Sequence, residues 1–239
     1  TLNITGKLTE EDYAFIRNNS LPKLKALNLR EADIDTIPVK AFYNYDKDNY
    51  DKEYQITLPE ELVYIGDSAF FEANVSLVLA GRFPKRGVNT TFREREIVTI
   101  TLTEDNEYCK LHTTGMLWPY YPSNYILSSD GKVLYYANDV FREVIPEGVE
   151  IIAEKAYEGR VCSDILFPKS LKEIEDYAFS YIYLNWVEDG RDNADFEFSS
   201  EEPPILGKEV FSHMRGLDGY GGGLPVLYIP ETWKELYIE

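Results

Sequence analysis

Residues able to act as nucleophiles, bases or metal ligands are sparse in this sequence. His112 and His213 are the two histidines of a 239-residue chain. Neither stands at catalytic spacing from a carboxylate or thiol, so a Ser-His-Asp or Cys-His site has no local signature. Cys109 lies three residues before His112, a pair without the further ligands that zinc requires. Asp46, Asp48 and Asp51 cluster carboxylates as a hard cation prefers. Tyr50, however, occupies a position that needs an oxygen ligand, and the turn glycine is missing. Asp189, Asp192 and Asp195 pose the same question in a looser loop, and solvated acidic loops account for both. Gly221, Gly222 and Gly223 follow no strand and carry no Lys-Ser/Thr, which excludes a phosphate loop. A glycosidase needs two carboxyl groups at a defined separation, and nothing here fixes one. The sequence therefore predicts no catalytic residue, no metal site and no cofactor.

Contact chemistry is better represented. The chain carries 19 Tyr, 12 Phe and 3 Trp, and its net charge is −18. A surface that negative repels phosphate backbones and anionic lipid, which argues against nucleic acid and membrane surfaces as partners. No apolar run approaches the roughly 20 residues that cross a bilayer. The chain opens at Thr1 without a signal-like segment, so the expectation is a trimmed chain whose compartment its N-terminus does not report. Cys109 and Cys162 sit among apolar neighbours, where buried free thiols are expected.

The elements that would position such contacts come from a repeat. L-P-E-E-L-V-Y-I-G-D-S-A-F from Leu58, I-P-E-G-V-E-I-I-A-E-K-A-Y from Ile145 and F-P-K-S-L-K-E-I-E-D-Y-A-F from Phe167 share one frame, and I-P-E-T-W-K-E-L-Y from Ile229 begins another copy. An earlier copy from Leu24 has one extra residue before Ile37. The copies at Ile145 and Phe167 start 22 residues apart, inside the range of about 20–29 residues of leucine-rich repeats. Alternation ahead of each Pro predicts a short strand with one face inward, as in Leu27/Leu29, Ile56/Leu58, Ile165/Phe167 and Leu227/Ile229. Pro lacks an N–H to donate and ends the ladder there. The return segment drops Leu62 and Ile65, or Leu171 and Ile174, into the interior, and Ala69 or Ala178 leaves room for Phe70 or Phe179. No single coil can bury these residues, so stability must come from stacking.

This frame resembles the BspA-type leucine-rich repeat family of bacterial surface proteins. Tyr125–Tyr136, with a turn signal at Asp130-Gly131, resembles a hairpin insertion of that family, and Pro203–Phe211 and Leu227–Pro230 resemble its closing repeats. The expected fold is an α/β-type repeat solenoid with short parallel strands in a curved sheet, an N-terminal capping helix and an inserted β-hairpin. One domain is expected over residues 1–239. It comprises an N-terminal cap at 1–23, regular coils at 24–71, irregular coils and the hairpin at 72–140, and regular coils with closing repeats at 141–239. Strands are expected at Ser76–Leu79 and Ile97–Leu102, without a clean coil around them. In the cap, Leu8, Asp12, Phe15 and Ile16 have helical spacing and Thr9 is the expected N-cap.

Two candidate surfaces follow. Alternation puts Thr57, Thr101, Val144, Leu166 and Tyr228 on the outer face of the strands, a ladder nearly free of charge in an acidic chain, as a protein-binding patch requires. A flanking loop packed over it is the competing expectation. Trp118, Tyr120 and Tyr121, between two prolines, form a stiff aromatic loop suited to a hot spot, or else fill the core. The family resemblance implies a non-enzymatic binding or adhesion module, displayed on a bacterial surface or secreted, whose ligand is a host or neighbouring-cell protein. A glycan held by the aromatic loop and a spacer without any ligand remain the alternatives.

Overall fold

The computed structural model describes residues 1–20, 23–43, 53–71, 73–87, 97–113, 124–137, 143–184, 194–216 and 225–234. The chain gathers into two compact units, Thr1–Lys110 and Leu111–Glu239. Parallel strands dominate both.

In the first unit, successive repeats give one strand each to two sheets. The larger runs in the order Leu2–Asn3, Ala26–Asn28, Tyr54–Thr57, Val75–Leu79, Ile97–Leu102, and the smaller in the order Thr36–Ile37, Tyr64–Ile65, Lys85–Arg86. Register puts like on like: Leu27, Ile56, Leu77 and Ile100 are level with one another, and all four are buried. Alternation thus becomes a one-sided core. Phe42 and Phe70, from the Ala-aromatic position of consecutive repeats, stack at 5.6 Å. Gly66 is required for space, since a Cβ there would lie 2.7 Å from the backbone nitrogen of Val39.

The N-terminal helix α1 spans Glu10–Phe15 and begins as expected. Thr9 and Asp12 form a reciprocal capping box, with the Thr9 N–H donating to Asp12 Oδ2 at 2.8 Å and the Asp12 N–H donating to Thr9 Oγ1 at 3.3 Å. These bonds, with that from the Thr9 hydroxyl, hold the Asp12 carboxyl below its ordinary pKa. The buried face differs from the expected one. Tyr13 and Ile16, three residues apart on one helix face, are inside while Phe15 is exposed, because Tyr13 packs edge-on against Phe42 at 5.5 Å; the chain then passes into a wider π turn at Ile16–Ser20. Burial pushes the Tyr13 phenol up to about 12.

The expected irregularity of residues 72–140 needs correction at its start. Val75–Leu79 and Lys85–Arg86 follow the repeat frame, with Leu77 level with Ile56, Val78 with Thr57, and Arg86 paired with Ile65. The frame is hard to see because Ala80 stands where Pro59 does, Phe83 where Leu62 does, and a buried Arg where an Ile is expected. The strands expected at Ser76–Leu79 and Ile97–Leu102 are present.

The second unit carries three sheets. One runs Glu143–Val144, Ile165–Phe167, Asp195–Phe198, Val226–Tyr228, and another Val161–Cys162, Tyr183–Leu184, Arg215–Gly216. The third orders Ile205–Leu206, Glu173–Ile174, Ile151–Ile152, Val133–Ala137, Asn124–Ser128 and Cys109–Thr113. Asn124–Ser128 and Val133–Ala137 pair antiparallel around the Asp130-Gly131 turn, where Gly131 has φ +80°. Tyr157, Phe179 and Phe211 stack in sequence at 4.5 and 5.6 Å. Backbone bonds follow the same stack, from the Tyr157 N–H to the Ala178 carbonyl at 2.8 Å and from the Phe179 N–H to the Val210 carbonyl at 2.9 Å.

Just before the Ala-aromatic pair, or Val210-Phe211 in the last case, five repeats place a non-glycine residue in the left-handed region: Lys40, Ser68, Lys155, Tyr177 and Glu209, with φ between 48° and 59°. An L side chain pays for that conformation, and bonds between repeats hold it. The N–H of Lys155 reaches the Asp176 carbonyl and that of Tyr177 the Lys208 carbonyl. Nothing in the residue types marks this position.

Candidate protein-binding surface

On Ile165–Phe167 the strand alternates strictly, with Ile165 and Phe167 buried and Leu166 half-exposed between them. Register then extends an outer row across the sheet, from Val144 to Leu166, Glu197 and Tyr228. Val144 is 54% and Tyr228 50% exposed. The row is stiffly backed, since Phe167 and Phe198 stack beneath it at 4.2 Å and Trp233 packs on Phe198 at 5.3 Å. The indole N–H of Trp233 donates to the Ser200 carbonyl at 3.2 Å.

The five residues expected on one sheet are divided between two. Val144, Leu166 and Tyr228 belong to the sheet just described, whereas Thr57 and Thr101 belong to the five-stranded sheet of the first unit. Equivalence of repeat position predicts which face a residue takes, but not which sheet carries it. The first unit's outer row is Asn3, Asn28, Thr57, Val78 and Thr101, with a hydrogen bond donated by Asn28 Nδ2 to Asn3 Oδ1 at 3.1 Å. Its rim is ionic. Arg30 forks onto Asp105 at 2.7 and 3.2 Å and approaches Glu60 at 3.6 Å, and this guanidinium holds the Asp105 carboxyl below its ordinary pKa.

The second row is also less neutral than expected. Glu197 stands exposed between Leu166 and Tyr228, without an ion-pair partner among the described residues. Asp164 and Asp195 lie one row away, where the Asp195 N–H donates to the Asp164 carboxylate at 2.9 Å. Sequence alternation missed Glu197 because its strand lies in D-F-E-F, a stretch lacking the proline frame.

Ile229 was expected inside and is 37% exposed, as is Leu227 at 49%. Phe196, level with Leu227 on the adjacent strand, is buried, as is Phe198 two residues on. The physical reason is position: Val226–Tyr228 is the last strand of its sheet, and no further strand covers it among the described residues.

The aromatic loop of Trp118, Tyr120 and Tyr121 lies outside the described residues, as do Asp46, Asp48, Asp51, Asp189, Asp192 and Gly221–Gly223. Cys109 and Cys162 are buried and not joined by a disulfide, and burial raises the Cys109 pKa. His112 stacks on Tyr125 at 6.0 Å and His213 on Tyr181 at 4.5 Å. Among the described residues no group of three His, Cys, Asp or Glu side chains is arranged to hold a metal ion, and no helix is long and apolar enough to cross a membrane.

Repeats that each lend a short strand to stacked parallel sheets, with like side chains in register, define a leucine-rich repeat protein. The chain belongs to the BspA-type leucine-rich repeat family, whose model matches it in six copies over residues 2–86 and 131–189, more than half of its length. That family is associated with bacterial surface proteins and protein interaction. Searches of curated proteins and of solved structures returned no match.

Proposed function

We propose that residues 1–239 act as one leucine-rich repeat domain, a non-enzymatic module displayed on a bacterial surface or secreted. In this reading each unit is a stretch of repeat solenoid, α1 caps the first repeat, and the antiparallel pair around Asp130-Gly131 is an insertion. The ligand is a protein of a host or neighbouring cell, gripped by the outer strand faces. Thr57 and Thr101 contribute a polar face in one unit, and Val144, Leu166 and Tyr228 an apolar face in the other.

The observation that carries this reading is the exposed row Val144, Leu166, Tyr228 on a sheet with a close-packed aromatic backing. Apolar side chains held in register by a rigid scaffold lose little entropy on binding, and desolvating them costs little beside burying unpaired carboxylates. The test immobilises the purified chain and passes defined extracellular matrix and cell-surface proteins over it, alongside a glycan array. Saturable binding of a protein is expected. Leu166→Glu should abolish it while circular dichroism and the melting temperature stay unchanged. Saturable binding confined to glycans would move the function to the aromatic loop, and no binding at all would favour a spacer.

A further inference from the structure

The hydrophobic core of the second unit is unfinished along one line. Leu227 is level with Phe196, which is level with Ile165; the latter two are buried and Leu227 is half open. Leu206 is likewise 52% exposed although it is level with the buried Ile174. Val226, Leu227, Tyr228 and Ile229 form an uncharged, exposed run before Pro230. Exposed apolar edges of this kind are aggregation hazards that proteins blunt with charge, proline or a covering element. Val226–Tyr228 carries no charge and no proline, and no covering element lies over it among the described residues.

The backbone states what the edge can accept. Val226 donates its N–H inward to the Ala194 carbonyl at 2.8 Å. Alternation along a parallel strand then turns the N–H and C=O of Leu227 to the open side. A group satisfying both, while covering Leu227 and Ile229, is another extended chain. Its charge follows from the neighbours. Glu197 is level with Tyr228 on the adjacent strand, Glu231 follows Pro230, and each copy of the chain carries −18. A second copy would bring like charges together, whereas a cationic segment would meet opposite charge and the face of Tyr228.

We propose that the edge strand Val226–Tyr228 takes an extended, Lys- or Arg-bearing segment of a partner protein as an added β-strand, apolar where it covers Leu227 and Ile229 and cationic beside Tyr228 and Glu197. This deepens the protein-binding reading and rests on it. Strand addition supplies affinity through main-chain bonds and specificity through alternate side chains.

The probe is a labelled peptide of about ten residues alternating Val and Arg, followed by fluorescence anisotropy at near-physiological salt, where diffuse attraction is screened beyond about 8 Å. Saturable binding is expected, with slowed hydrogen exchange at the Leu227 amide. The same peptide N-methylated at alternate residues loses its donors without touching the protein, and should bind at least tenfold more weakly. Leu227→Gln should cost a similar factor and Glu197→Gln several-fold, with Glu31→Gln in the first unit as an unaffected control. A Val-Glu peptide should not bind. Absence of saturable Val-Arg binding, indifference to N-methylation, or dimerisation that occludes the edge would each overturn the proposal. If Leu166→Glu abolishes Val-Arg binding while Leu227→Gln and N-methylation do not matter, the edge is wrong and the face reading stands. If none of these changes matters, both fall.

Discussion

Truncating Phe179 to Ala tests how stability is distributed in this protein. Phe179 is fully buried and touches four rings: Tyr157 at 4.5 Å, Phe167 at 5.6 Å, Phe211 at 5.6 Å and Phe196 at 5.8 Å. Removing a buried Phe ring costs about 3–5 kcal/mol, and each well-placed aromatic pair adds about 0.5–1.5 kcal/mol. The expected loss is therefore about 5 kcal/mol, a large share of the 5–15 kcal/mol typical of a folded domain. Phe70 occupies the equivalent position, also fully buried, but among the described residues its ring neighbour is Phe42. Phe70→Ala should cost about 3–4 kcal/mol. Urea melts give the totals, and native-state hydrogen exchange gives the distribution. In Phe179→Ala, protection should fall first at Tyr157, Phe211 and their neighbours, because a repeat is held chiefly by the repeats beside it. Leu29, in the other compact unit, should keep its protection. Equal loss at Leu29 and Tyr157 would refute the locality of the stack, and a cost below about 2 kcal/mol would refute the core position of Phe179.

Two further outcomes follow from charge. Arg160 is only 5% exposed at the position taken in the next repeat by the buried Ile182, and its Nε and Nη2 meet no acceptor among the described residues. Unmet buried donors cost about 1–3 kcal/mol each and the 4.8 Å approach to the Tyr136 ring returns at most about 2 kcal/mol, so Arg160→Met should stabilise the chain by about 1–3 kcal/mol in urea melts; a loss of stability would show that the guanidinium is paired. Glu150 lies between Lys132 at 2.9 Å and Lys172 at 2.8 Å, which lower its pKa from 4.5. A depressed carboxylate stabilises the fold above its unfolded value and loses that contribution as pH falls through the folded value. The double variant Lys132→Met/Lys172→Met should therefore be less stable than the parent above pH 4.5 and converge with it in more acid solution. A difference in melting temperature that stays constant with pH would contradict this.

The repeat was legible because stacking forces like residues into register. Ile65, Ile152 and Ile174 recur at one offset, Ile37 one residue later in its copy, and all are buried. Thr9 as N-cap was equally plain, since capping is local chemistry. What escaped notice depended on the third dimension. Arg86 hid a repeat because the frame admits an arginine wherever its guanidinium finds company, here over the Phe83 ring at 5.7 Å. The left-handed residues at Lys155 and Tyr177 left no trace, because bonds to the next repeat replace the usual preference for glycine. Phe15 turns outward because the packing of Tyr13 on Phe42 sets the buried face of the helix, a tertiary contact that helical spacing alone does not report.

For the candidate surface, alternation assigned the exposed side of each strand but not the sheet to which it belongs. The two outer rows differ in what they can do. Asn3, Asn28, Thr57, Val78 and Thr101 make a row of mainly amides and hydroxyls, partly spent on one another. Groups already bonded to each other or to water contribute little net energy when a partner replaces those bonds. Val144 and Leu166 have no such competing bonds to break and Tyr228 has only its hydroxyl to desolvate, and each buried apolar side chain of this size is worth about 1.5–3 kcal/mol. A single exposed carboxylate, Glu197, then sets the charge a partner must bring. Affinity should therefore reside in the second unit. Thr57→Ala and Thr101→Ala together should weaken binding less than Leu166→Ala does alone.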